Sequence, residues 1–204
     1  EPTRNGMSGG EAARSILDDA GLREVPVHAV RGQLTDHYDP VKRALFLSQD
    51  NFAGRSVSSV GVAAHEAGHA LQHKAAYVWL QLRMTLVPAT NFATKAVFAI
   101  IIGGMLLSML GFISPALYGR ILPFAVGAYA VVTLFQLITL PVEYDASRRA
   151  KERLLGLGLI ANEEAPAISK VLNAAALTYV AALVASVLEL LRLFLFSRML
   201  GGDD

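Results

Sequence analysis

His65-Glu66-Ala67-Gly68-His69 places two imidazoles and a carboxylate within five residues. The run fits the H-E-x-x-H pattern. Val60, Val62, Ala63, Ala64, Ala67, Ala70 and Leu71 surround it, and such an apolar stretch reads as helix. Four helical residues turn about 400°, so His65 and His69 project about 40° apart and can share one Zn²⁺. Glu66 stands beside them, in reach of the proton of a water held at that metal. This is the chemistry of a zinc-dependent peptidase. At the chain's own His and Glu frequencies, the pattern arises by chance in roughly one such sequence in 200.

Composition narrows the ligand chemistry and the class. The chain has no cysteine, which removes disulfides and thiolate zinc sites and leaves His, Asp and Glu as zinc ligands. Of its 204 residues 53% are hydrophobic and 17% charged, against about 25% charged in ordinary domains. Mean hydropathy is +0.43. The formal net charge of +1 gives no electrostatic case for nucleic acid.

The apolar excess is concentrated. Residues 96–119, 121–142 and 171–188 carry no charge, and each run reaches the roughly 18 residues expected of a helical membrane span. The sequence therefore predicts a mainly α integral membrane protein. It has three transmembrane helices and a small α+β zinc-peptidase domain. Expected divisions are a soluble zinc-peptidase portion over 1–85, two transmembrane helices over 86–142, a helix on the active-site side over 143–162, and a final span with its tail over 163–204.

Finer features follow from local signals. Ser8 and Glu11 fit a capping box at the start of a helix that Gly21 stops. Val25–Val30 and Ala44–Ser48 read as strands separated by a turn-rich segment, Gly32 to Pro40. One helix from about Ser56 to Gln81 is expected to carry the His65/His69 pair. Pro88 and Asn91 mark a break before the first span, Pro141 lies just ahead of an amphipathic and basic helix from Glu143 to Leu155, and Asn162 caps the last helix. Glu189 and Arg192 are spaced to pair. Asp36 and Asp39 lack the number and spacing of a calcium loop.

Topology tests the site. The two histidines precede the first span and Glu143 follows the second, so two crossings return the chain to the side it left. Glu143 can then reach the metal. Ten of the 18 Lys/Arg precede the first span and five lie between the second and third, which places the active site on the cytoplasmic face.

Three segments carry a family resemblance: His65-Glu66 with Gly68-His69-Ala70-Leu71-Gln72, Leu34 to Pro40, and Leu140 to Arg149. Together they resemble the YugP-like neutral zinc metallopeptidases of bacteria, which are similar in plan to membrane gluzincins of the HtpX type. The resemblance implies a bacterial inner-membrane endopeptidase. It implies His65, His69 and Glu143 as zinc ligands and Glu66 as the base. Family members begin with one more hydrophobic helix. With Glu1 first and no signal-peptide pattern in residues 1–20, the expectation is a natural chain that extends upstream to a fourth span. HtpX-like enzymes carry an acid one turn after the ligand; here that position is Ser147. Asp145 lies about 200° around the helix from Glu143 and is better placed to pair with Arg148 or Arg149.

Candidates for oxyanion stabilisation are Tyr179 in the third span and His37 in the polar loop. His73 follows His69 by one turn and suits a supporting or surface role, and His28 reads as a surface residue. Ala44–Ser48 could pair with an extended substrate. Expected partners are a polypeptide substrate, the lipid bilayer, and membrane proteins or a second copy that complete a small bundle. Clearance of damaged membrane proteins follows only by analogy with the HtpX type. The rival reading is a catalytically silent membrane scaffold or assembly subunit that keeps a structural zinc site; Glu66 has no use there. A transporter is disfavoured because the spans lack intramembrane ionisable residues.

Overall fold

The computed structural model describes residues 2–201. The chain divides into two compact units, Glu1–Gln81 with Pro141–Thr178, and Leu82–Leu140 with Tyr179–Asp204.

The first unit is α/β. Helix α1 (Gly9–Asp19) opens on the capping box: the Glu11 amide donates to Ser8 Oγ at 3.3 Å and the Ser8 amide to Glu11 Oε2 at 2.7 Å. Strands β1 (Val27–Val30), β2 (His37–Asp39) and β3 (Ala44–Ser48) form one sheet in the order β1-β3-β2. β1 runs parallel to β3 and β2 antiparallel to it. The central strand, β3, is therefore paired on both sides, and its Leu45 and Leu47 are fully buried. A short helix, α2 (Gln49–Ala53), leads to α3 (Val57–Lys74), whose N-terminus is capped by Ser56. α1 and α3 pack through Ala12, Ala13, Ile16, Leu17, Val60, Ala63, Ala64 and Ala67, all buried. Small side chains on both helices let the backbones approach closely.

Several elements differ from the sequence expectation. The helix expected from Ser56 to Gln81 stops at Lys74, because Ala76 takes a left-handed φ of 50° and a new helix, α4 (Val78–Phe98), starts at Val78. Pro88 does not break α4; the helix runs through it. Pro141 does not break the following helix either: α6 (Pro115–Gly156) is one helix of 42 residues. A proline in an apolar span is tolerated where neighbouring groups satisfy the freed carbonyl. Residue β2 Tyr38 and its neighbours lie in the segment expected to be only turn, and Asn162 opens a 3-10 turn (Asn162–Glu164) ahead of α7 (Ala165–Gly201).

The second unit holds the greater part of the long apolar helices. Three segments, Val78–Met109, Pro115–Gly156 and Asn162–Leu200, are long and apolar enough to cross a membrane. Most of their large side chains, Phe92, Phe98, Phe112, Phe124 and Leu137 among them, point outward, as a lipid-facing surface requires. The first segment passes through a π turn (Ala99–Gly103) into α5 (Gly104–Met109), and Tyr118 Oη donates to the Ile101 carbonyl at 3.1 Å. Glu189 and Arg192 pair at 2.5 Å, as their spacing predicts.

Candidate active site

α3 and the C-terminal part of α6 bring together three groups that could hold a metal ion. His65 and His69 lie one turn apart on α3, ring centroids 4.8 Å apart. Glu143 stands opposite on α6: its Oε2 is 3.0 Å from His65 Nε2 and 3.5 Å from His69 Nε2. One ligand atom from each residue lies within 4.8 Å of the others. The Glu143 side chain is 2% exposed and the two imidazoles 11% each. A carboxylate this deep costs several kcal/mol in desolvation unless a cation or strong donors meet it. Nitrogen and oxygen donors in this number suit zinc, so the residues present fit that ion.

The groups behind the imidazoles fix which nitrogen faces the carboxylate. Gln72, fully buried, donates through Nε2 to the Val142 carbonyl at 2.8 Å and to Asp145 Oδ2 at 3.0 Å. Both partners only accept, so Gln72 Oε1 must be the atom 3.0 Å from His69 Nδ1. His69 then carries a proton on Nδ1 and turns Nε2 to Glu143. His65 is held likewise: its Nδ1 lies 3.1 Å from Ser147 Oγ. Asp145 pairs with Arg148 and with Arg149 Nε at 2.6 Å, in keeping with its i+3 and i+4 spacing. It also reaches the site, through Gln72. Sequence reasoning missed Gln72; the signal was an amide three residues after His69, on the face that carries both imidazoles.

Burial opposes the imidazolium form of His69, but the hydrogen bond to Glu143 and the charge of Glu66 outweigh it and hold its pKa above the ordinary histidine value. Glu66 Oε2 accepts the Tyr38 backbone N–H at 3.1 Å. The edge strand β2 thus orients the carboxylate proposed as base.

Other predicted residues fall elsewhere. His73 lies outside the metal-binding group; its Nδ1 is 2.8 Å from Tyr38 Oη. His37 is exposed on β2, stacked on Phe46 at 4.9 Å with its Nδ1 2.7 Å from the Thr35 carbonyl oxygen. Tyr179 belongs to the other unit. His28 is exposed and stacks on the opposite flank of Phe46. Asp36 ties its loop to the start of α2, accepting from the Ser48 amide at 2.8 Å and from Asn51 Nδ2 at 3.0 Å, while Asp39 has the turn role, accepting from the Val41 and Lys42 amides. Ala44–Ser48, expected as a pairing edge for substrate, is the central strand, and the edge beside Glu66 is β2.

A small α/β unit with an H-E-x-x-H helix, joined to apolar spans, defines a membrane protein of the zinc-peptidase class. Residues 1–198 match the family described as "Putative neutral zinc metallopeptidase", and the chain belongs to that family. Zinc is accordingly its cofactor. The chain is 48% identical over 200 residues to "Putative membrane protease YugP" of Bacillus subtilis (strain 168), covering 98% of this chain and 84% of that protein. No solved structure matches it.

Proposed function

We propose that the protein is a membrane-embedded endopeptidase of the gluzincin type, with His65, His69 and Glu143 holding zinc and Glu66 serving as general base. The observation that carries this reading is the Glu143 carboxylate 3.0 Å from His65 Nε2, presented by a helix 78 residues further along the chain. Zinc held by these three residues would supply an acidified water and a Lewis acid for the scissile carbonyl. Glu66 takes the proton and delivers it to the leaving amine. With Oε2 held by the Tyr38 amide, Oε1 is the oxygen left for that exchange. Gln72 and Ser147 keep both imidazoles turned with Nε2 inward. An extended substrate lies along β2, and His37 on that strand is the candidate donor to the oxyanion.

A bacterial inner-membrane location follows from the family resemblance, and the distribution of Lys and Arg supports an active site facing the cytoplasm. The analogous role is removal of damaged or misassembled membrane proteins, with membrane proteins or a second copy as partners. Zinc content and cleavage of casein or peptides by wild type and Glu66→Gln test the reading. Loss of cleavage by about 10²–10⁴-fold with zinc retained is the expected result. Equal cleavage by both refutes it, and zinc without cleavage in either points to the silent scaffold.

A further inference from the structure

We propose that a cavity beside β2 and the C-terminal turn of α3 is a substrate subsite for a carboxylate, either an acidic side chain or the free C-terminus of a peptide, with Arg43 as its anchor. This rests on the peptidase reading above.

The cavity has a volume of about 270 Å³ and is lined by Leu22, Val25, Tyr38, Arg43, His73 and Lys74 among others. Its position ties it to the reaction centre. His73 lies one turn past His69 on α3, a rise of about 6 Å, which is the reach of a residue neighbouring the scissile bond. Tyr38 is a shared wall: its amide donates to Glu66 Oε2 at 3.1 Å, and its hydroxyl is 2.8 Å from His73 Nδ1. A peptide running along β2 across Glu66 therefore passes the mouth of this cavity.

Charge sets what it takes. Lys74 is occupied with the Ala20 carbonyl. Among the described residues the Arg43 guanidinium makes no hydrogen bond or ion pair, and its charge acts on both Tyr38 and His73. Glu24 is the single acid in the lining, against Arg43 and Lys74. Arg43 is also held at a left-handed φ of 49°, a conformation that side chains other than glycine, Asn and Asp seldom adopt and that persists where the surroundings or a function demand it. An exposed guanidinium without a protein partner, on a strained residue at the wall of a cavity that shares Tyr38 with the proposed base, matches a bidentate carboxylate.

The test uses the full chain in detergent with zinc bound. Binding of fluorescent peptides to Glu66→Gln is read by anisotropy, and cleavage is followed with wild type. One arm compares Glu with Gln at each position flanking the scissile bond; the other compares a C-terminal acid with its amide. A preference of about tenfold or more for the carboxylate form in one arm, falling to near unity when Arg43→Gln is added, supports the subsite and says which source it serves. Arg43→Gly should abolish the preference while raising the melting temperature, because glycine adopts the left-handed φ freely. Equal binding of charged and neutral forms in both arms overturns the subsite, even if wild type cleaves them. Arg43-dependent carboxylate preference in binding without cleavage by wild type keeps the subsite and overturns the peptidase reading.

Discussion

Gly68, between Glu66 and His69, faces the backbone of α6. A Cβ at this position would lie 2.5 Å from the Ala146 carbonyl oxygen and 3.1 Å from its carbon. Carbon and carbonyl oxygen rest about 3.3 Å apart in ordinary contact, so Gly68→Ala must drive α6 back by about 0.8 Å. The obstructing atoms are main chain and cannot rotate aside. Ala146 is three residues past Glu143, so the carboxylate recedes with it. Metal sites accept ligand displacements of about 0.2 Å, a quarter of that shift. The expected result is a loss of zinc affinity of about 10–100-fold, similar to removal of a supporting group. The fold loses only about 1–2 kcal/mol, because overpacking costs about 1–3 kcal/mol and helix propensity returns about 0.5–1 kcal/mol. Gly61→Ala, on the same helix, is the control. Its Cβ would meet Ile168 Cδ1 at 3.5 Å and Val171 Cγ1 at 3.6 Å, ordinary contacts, so zinc affinity should hold and stability should rise slightly. Competition against a chromophoric chelator reads affinity, and thermal melting reads stability. Wild-type zinc affinity in Gly68→Ala would show that the α3–α6 spacing does not set the metal centre.

Gln72→Leu leaves His69 Nδ1–H, the Val142 carbonyl and one Asp145 contact without their partner, at about 1–3 kcal/mol for each group not rescued by water. It should cost about 2–4 kcal/mol in denaturant unfolding and weaken zinc about 10–100-fold; a neutral result on both measures removes the amide from the site. The pKa of His69 is raised in the metal-free fold. Its contribution to metal-free stability is therefore present below the unfolded value of about 6.5 and fades as pH climbs through the folded value. Zinc needs the neutral imidazole, so the melting-temperature gap between zinc-loaded and metal-free protein should widen from about pH 6 to about pH 8.5; a gap that narrows contradicts the sign. Ser8→Ala should cost about 1 kcal/mol by loss of the capping box, and circular dichroism melts showing no change would assign the cap no energetic role.

The parts of the site that were legible in the sequence are those set by helical phase. His65 and His69 share a face because four residues make little more than one turn, and Glu143 could be placed because two apolar runs of span length separate it from them. Elements set by tertiary contact were opaque. β2 is three residues long in a turn-rich segment, and it exists because Tyr38 pairs opposite Leu45 and binds Glu66. The end of α3 carries neither Gly nor Pro; Ala76 adopts positive φ there, which no local preference announces. Pro88 and Pro141 misled in the other direction, since rules drawn from water-exposed helices overstate how strongly proline interrupts an apolar one. Gln72 was visible only as an anomaly of polarity, and its role required knowing that Val142 and Asp145 face it.

The uninterrupted course of α6 has a consequence for how sequences of this kind can diverge. Each residue added to a helix rotates everything beyond it by about 100°. A single insertion between Glu143 and Ser147 would swing Ser147 about 100° away from His65 while Glu143 kept its bearing. The carboxylate and the hydroxyl behind the imidazole are thus locked in helical phase, and length can drift in the loops that flank α6.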